Sequence, residues 1–305
     1  MKKRVAVIGV GHLGSQHARI YSKLKDVELV GVCDLSPKRA RKVAKNYRTQ
    51  YFTDWRKLAK MVDAVSIATP TVTHFEVAKG LIELGINILI EKPMTSTVEE
   101  ADELLFLAKE NNLILQVGHI ERFNSAVRAI EQYQGKVGFI ECHRLAPYKK
   151  RSLDVGVVLD LMIHDIDIIL DLVGSEIENI SAIGIPILTK HEDLANARLT
   201  FQNGAVANIT ASRVSNKEMR KIRIFRENAY ISLDYVRQDA QIYTKEGKRI
   251  KRKRINIKKE EPLKLELESF IHCLHHKKKP LVSGIEGRRA LEAALEITNI
   301  IHRKK

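Results

Sequence analysis

The stretch "VIGVGHLGSQHA" (residues 7–18) sets Gly9, Gly11 and Gly14 in G-x-G-x-x-G spacing directly behind the apolar run "RVAVIG" (4–9). In a strand-turn-helix setting each glycine has its own task. A side chain at the first would block the tight turn, one at the second would bar a pyrophosphate, and one at the third would hold helix and strand apart. The free amides opening the helix, around His12 and Leu13, then face the diphosphate. Asp34 ends the next apolar run 20 residues after Gly14, where an acid grips the adenosine ribose. Gly9, Gly11, His12, Leu13, Gly14 and Asp34 are therefore candidate dinucleotide ligands. The Asp34 carboxylate would repel a 2′-phosphate and so favours NAD; Lys38 and Arg39 lie near enough in sequence to soften that repulsion and leave NADP open.

Outward from this turn the pattern repeats. "VELVGVCD" (27–34), "DAVSIATP" (63–70), "NILIEKP" (87–93) and "LILQVGH" (113–119) read as strands, with helical segments between them that start at Ser36 and Thr97 as N-caps. Continuous apolar strands alternating with helices imply a parallel sheet covered on both faces. From about residue 136 the rhythm changes. "ARLTFQNGAVANITAS" (197–212) is two alternating strands around Asn203-Gly204, further strands follow near 219–235 and 239–257, and helices near 263–277 and 285–303 close the chain. The expected fold is α/β: a Rossmann parallel sheet over 1–121, then an α+β domain over 122–305 with a large, mostly antiparallel open sheet. The last helix is a candidate to return to the first domain.

The 305 residues are 44% hydrophobic, enough for two packed cores. No apolar run approaches the roughly 20 residues of a membrane span, and "MKKRVAVIGVG" has too short an apolar core for a secretory signal, so a cytoplasmic protein is expected. Cys33, Cys142 and Cys273 are too scattered for a disulfide framework or a CxxC metal site and read as structural thiols. Of the net charge of +15, residues 245–259 ("KEGKRIKRKRINIKK") carry +8, nine Lys/Arg against Glu246. A Lys-rich edge strand that discourages sheet-to-sheet pairing accounts for it; peripheral contact with an anionic surface is the other reading. No aromatic residues interleave the charges as single-strand nucleic acid would require, so no nucleic-acid partner is expected.

Two further elements carry chemistry. At 100° per residue, Asp160, His164, Asp167 and Asp171 of "VVLDLMIHDIDIILDL" (157–172) fall in one narrow stripe of an otherwise apolar helix, with Asp165 on another side. Such a helix is mostly buried and its polar stripe looks into a narrow space, or else meets solvent or basic residues elsewhere. Glu91-Lys92-Pro93 follows the strand at 87, at the sheet edge where ligands of parallel sheets bind. Two histidines four apart in "HCLHH" (272–276) sit among lysines, and no metal site is expected.

Together, "VIGVGHLGSQHA", "CDLSP", "ATPTVTH", "EKPMT", "VGHIERFNSA" and "VVLDLMIHDID", in this order, make the chain resemble the glucose-fructose oxidoreductase, inositol dehydrogenase and MocA family over essentially its whole length. The resemblance implies that Lys92, Asp160 and His164 form the catalytic group and that Lys92-Pro93 is cis. It implies that Thr69, Pro70, His74, Glu91 and Lys92 border the cofactor, and that Arg122 and Asn124, in the element leading into the substrate domain, bind substrate. The chemistry agrees with those roles. Hydride leaves a carbinol carbon only as the hydroxyl loses its proton, so His164 suits the base and Lys92 suits the developing alkoxide. Asp160 would bind a neighbouring hydroxyl or orient the imidazole. The lysine and the imidazole are expected to meet over one substrate oxygen. Met162 stands where the family usually has glycine, which implies a bulkier pocket wall.

The region 143–167 resembles most the branch that oxidises the 3-hydroxyl of UDP-N-acetylglucosamine, supplying a 3-keto sugar for amino sugars of lipid A or other surface glycans. Arg144, Lys149, Lys150 and Arg151 lead into the catalytic helix, and Arg144, Lys149 and Arg151 are candidate partners of a nucleotide diphosphate. A dehydrogenase of a free polyol or monosaccharide, and a dinucleotide-binding regulator without catalysis, are the alternatives. The resemblance also implies a homodimer or homotetramer.

Overall fold

The computed structural model describes residues 1–133, 135–148 and 155–303. They form two compact units, Met1–His119 with Leu263–Arg288, and Ile120–Pro262 with Arg289–Lys305. In the first unit, β1 (Lys3–Ile8), β2 (Val27–Cys33), β3 (Gln50–Phe52), β4 (Ala64–Ile67), β5 (Asn87–Glu91) and β6 (Leu115–Gly118) pair in the order β3-β2-β1-β4-β5-β6. Every pairing is parallel. Parallel neighbours need crossover connections, and α1 (His12–Tyr21), α2 (Pro37–Tyr47), α3 (Arg56–Ala59), α4 (His74–Glu83) and α5 (Val98–Glu110) supply them. The central strands β1, β4 and β5 are buried over Val5–Ile8, Ala64–Ile67 and Ile88–Ile90, which is why these are nearly uninterrupted apolar runs. Ser36 Oγ accepts the Arg39 amide ahead of Pro37, and Thr97 with Glu100 closes a reciprocal capping box. β3 went unread in the sequence, since three residues show no period.

Strand order reverses between β1 and β4, and ligands of such sheets bind outside the carboxyl ends of the strands at that point. Gly9, Asp34, Thr69 and Lys92 follow the ends of β1, β2, β4 and β5. The topology thus collects four residues singled out from the sequence along one edge.

The second unit contains α6 (Ser125–Ile130), α7 (Ile163–Val173) and the strands β7 (Val137–Leu145), β8 (Ile177–Ile185), β9 (Leu194–Phe201), β10 (Val206–Ser212), β11 (Met219–Arg226), β12 (Ala229–Asp234), β13 (Asp239–Glu246) and β14 (Arg249–Arg254). Their order is β14-β13-β12-β11-β7-β10-β9-β8. All pairs are antiparallel except β7 with β10. The β9–β10 hairpin turns at Asn203-Gly204, where Gly204 has a φ of +83° that suits glycine. Ile140, Cys142, Ile209, Ile222, Ile224 and Ile231 of the sheet share one core with Ile163, Ile166 and Ile169 of α7. β14 is an edge strand with all six residues exposed, and Lys251 and Arg254 bond Glu246 and Asp239 of β13. That agrees with the protective-edge reading of the basic run.

α8 (Pro262–His276) and α9 (Gly284–Arg303) end the chain. The division expected at 121/122 kept α8 with the second domain and made the last helix a candidate to return to the first; α8 and the first turn of α9 group with the first unit. Small residues make this approach possible. A Cβ on Gly287 would lie 2.5 Å from Val117 Cγ2 of β6, Val117 N–H donates to Val282 O at 3.0 Å, and Arg288 bonds Asp102 of α5 at 2.8 Å. No described helix is long and apolar enough to cross a membrane. The three cysteines are buried and free.

Candidate active site

Each glycine of the first turn meets the constraint read from its spacing. Gly9 has a φ of +81°, and a Cβ there would lie 2.6 Å from Ala68 O. A Cβ on Gly14 would lie 1.8 Å from Gly9 O, so α1 can approach β1 only without one. At Gly11 the nearest atom to such a Cβ would be Arg39 Nη1 at 3.9 Å, leaving the space in front of the α1 N-terminus open on that side. α1 has no side-chain cap, and its first amides, from His12 to Gly14, are available to an anion.

Asp34 is fixed just past β2. Its Oδ2 accepts the Val10 amide at 3.0 Å and its Oδ1 the Ser36 amide at 2.9 Å, joining the glycine turn to the start of α2. Arg39 Nε lies 3.4 Å from Oδ1 with its side chain half exposed. A carboxylate held this way keeps lone pairs for two ribose hydroxyls. Open amides, an uncrowded Gly11 and an anchored acid make a set that fits NAD, and Arg39 beside the acid is the softening of charge read from the sequence.

At the neighbouring strand ends, Lys92-Pro93 is cis, as the resemblance implied. His74 is 1% exposed and bridges two carbonyls, with Nδ1 2.9 Å from Pro93 O and Nε2 2.9 Å from Thr69 O. Burial lowers its pKa, although both carbonyls and Glu91 favour the protonated ring. His74 thus ties the Thr69-Pro70 segment to the cis bond, and both its nitrogens are engaged in doing so. Glu91 is also buried, 3.0 Å from His17 Nε2.

In the second unit, Val158–Met162 is a π-helical turn that runs into α7. The wider turn means that 100° per residue does not hold across Asp160, so the single stripe drawn from the sequence is not that of a uniform α-helix. Asp160 and His164 are half-buried. Asp167 and Asp171 lie 3.6 Å and 2.7 Å from the buried Arg122 guanidinium. Asp165, on another side as expected, is 1% exposed.

Three residues expected to face substrate are instead committed inside this unit. Arg144 is 2% exposed; its Nε and Nη2 bond both oxygens of Asp165 at 2.8 Å and 2.9 Å, and its Nη1 bonds Glu121 at 2.8 Å. Burial opposes its charge, but Asp165 and Glu121 hold the guanidinium above its ordinary pKa. Asn124 caps α6 through the Ala126 amide and donates to Glu121 and Tyr235 O. Arg122 is held by the two aspartates of α7. The signal for Arg144 was present in the sequence: strand alternation over β7 sets it on the same face as the buried Ile140 and Cys142. Lys149 and Arg151 lie outside the described residues.

A family model described as "Oxidoreductase family, NAD-binding Rossmann fold" matches residues 3–119, and one for the GFO/IDH/MocA C-terminal domain matches residues 118–232. UDP-N-acetylglucosamine 3-dehydrogenase of Acidithiobacillus ferrooxidans is 40% identical over 301 residues, 96% of each chain. Its crystal structure superposes with a TM-score of 0.95 over 99% of each chain. The scyllo-inositol 2-dehydrogenase (NAD(+)) of Bacillus subtilis is 30% identical over 97% of this chain and 93% of its own. With matches that span both units, and the glycine turn and the buried helix in place, the chain belongs to the glucose-fructose oxidoreductase, inositol dehydrogenase and MocA family of oxidoreductases.

Proposed function

We propose that the protein oxidises the 3-hydroxyl of UDP-N-acetylglucosamine to a ketone with NAD. One observation carries this reading: 40% identity over 96% of the chain to an enzyme of that activity. Lys92, Asp160 and His164 supply the chemistry. NAD, held by the glycine turn and Asp34, provides the hydride acceptor. His164 takes the proton of the substrate hydroxyl, a task for a base that titrates near neutrality. Lys92 donates a hydrogen bond to the same oxygen and stabilises the negative charge that grows there. Asp160 binds a neighbouring hydroxyl or orients the imidazole. The first unit is assigned to dinucleotide binding and the second to substrate. Because Arg122 and Arg144 are committed internally, the diphosphate falls to other cations, with Lys149 and Arg151 the sequence candidates.

The second sheet supports self-association. Phe139, Phe225, Tyr230 and Tyr243 form a row of rings 4.8–5.7 Å apart. By strand alternation the row lies opposite the buried Ile140, Ile224, Ile231 and Ile242. We assign this face to a homodimer or homotetramer contact, and the cytoplasm as the compartment where UDP-sugars and NAD meet. Mixing the protein with NAD and a panel of UDP-sugars and free sugars tests the substrate. NADH is expected with UDP-N-acetylglucosamine. Turnover of free inositol or glucose with none of the nucleotide sugar would move the protein to the polyol-oxidising alternative, and NAD binding without any turnover would favour a regulator.

A further inference from the structure

Three buried ionisable groups of the first unit have no part in the chemistry above. His17 of α1, Glu91 at the end of β5 and Glu266 of α8 bring their polar atoms within 4.8 Å of one another. His17 Nε2 and Glu91 Oε1 are 3.0 Å apart. The Glu91 carboxylate fills the place of a side chain on the paired strand: a Cβ on Gly118 would lie 2.8 Å from Glu91 Oε2. Glu266 is fully buried, and neither of its carboxyl oxygens has a hydrogen-bond partner. It stands on the apolar face of α8 with Leu263, Leu267, Phe270 and Ile271.

Two carboxylates this close and this deep cannot both stay charged without compensation. An ion, the His17 proton or a proton on Glu266 could provide it. Ligands around a tetrahedral metal with bonds of about 2.0–2.2 Å stand roughly 3.4 Å apart, so the 3.0 Å contact of His17 with Glu91 fits a hydrogen bond better. An imidazolium at His17 would neutralise one carboxylate, and it is already bonded to Glu91. The groups that face Glu266 include Glu91 from β5, His17 and Tyr21 from α1, and Gln116 from β6, whose Nε2 donates to the Glu266 carbonyl. Tyr21 in turn pairs its hydroxyl with Ser66 of β4. None of these offers Glu266 a second cation. Burial, and after it the charge of Glu91, raise the Glu266 carboxyl well above the usual carboxylate range.

We propose that Glu266 is a positioning residue for Lys92: present as the neutral acid beside the His17–Glu91 pair, it allows Glu91 to keep its charge and so fixes the end of β5 from which Lys92 follows. The role in catalysis rests on the reading of Lys92 given above; the protonation state does not.

The full-length protein with Glu266→Gln and Glu266→Ala tests it. Glutamine copies the shape of the neutral acid and cannot ionise. It is expected to keep kcat within about threefold, while alanine lowers kcat about tenfold or more. Stability against pH gives an arm that needs no substrate. A folded pKa above the unfolded value near 4.5 means that wild-type stability is complete below that pH and is lost as pH rises towards the folded pKa. The melting temperature of Glu266→Gln should therefore gain on wild type as pH rises above the unfolded carboxyl value near 4.5. A Glu266→Gln protein destabilised equally at every pH and as inactive as the alanine variant would overturn the proposal. So would one equivalent of metal in the purified wild type that the glutamine variant lacks. If wild type has no activity on the sugar, the functional reading fails while the pH arm still decides the state of Glu266.

Discussion

His164→Ala is expected to lower turnover of UDP-N-acetylglucosamine by about 10²-fold or more while NAD affinity holds. The expectation comes from the division of labour along the chain. The glycine turn and Asp34, which fit the dinucleotide, belong to the first unit, and His164 belongs to the second. Removing the imidazole takes away the proton acceptor for the hydroxyl and leaves the turn, its open amides and its anchored acid untouched. The comparison of kcat with NAD affinity, measured by titrating the dinucleotide against the same preparation, separates the cases. A matched fall in both would show that the variant had lost its structure. No fall in kcat would remove His164 from the chemistry, and Asp160 would then be the group to examine as the base.

Arg144→Leu is expected to destabilise the second unit by about 3–5 kcal/mol, because the change strips two buried carboxylates of the guanidinium they share. Asp165 is 1% exposed and Glu121 7% exposed, and Arg144 bonds both while its guanidinium lies 5.1 Å from the Tyr235 ring. Lysine would not rescue it, since a single ammonium cannot repeat the two-pronged bond to Asp165. Combining Arg144→Leu with Asp165→Leu and Glu121→Gln should recover much of the loss by removing the uncompensated charges together. Chemical denaturation of the three proteins measures this. If Arg144 were a diphosphate ligand, as the sequence suggested, the single change would raise KM for the nucleotide sugar and leave stability unaltered.

The parallel unit was legible because its grammar is local. An apolar strand, a glycine turn and a capped helix recur, and each signal lies within about a dozen residues. The acid at the end of β2 and the cis bond at Pro93 follow from positions in that pattern or from the family it resembles. The large sheet of the second unit was legible as hairpins, but not in its parallel β7–β10 pairing, which joins strands more than 60 residues apart. Partner choice was the least legible. Arg144 sits in a basic run and reads as a ligand for phosphate; only the two-residue period of β7, with Ile140 and Cys142 on the same face, marks it as inward. Glu266 falls at a core position of α8, in step with Leu263, Leu267 and Phe270, and a carboxylate there is a signal that helical periodicity could have raised. The π-turn at 158–162 has no comparable mark in the sequence, and it is what spoils the uniform stripe through Asp160.

In the proposed reaction a hydride leaves C3 of the sugar for NAD. Incubating the protein with NAD and UDP-N-acetylglucosamine carrying deuterium at C3 measures this directly, by the mass of the NADH formed. One deuterium is expected in each NADH, with a 3-keto sugar free of label at that carbon. Unlabelled NADH, with the deuterium still on the sugar, would contradict it.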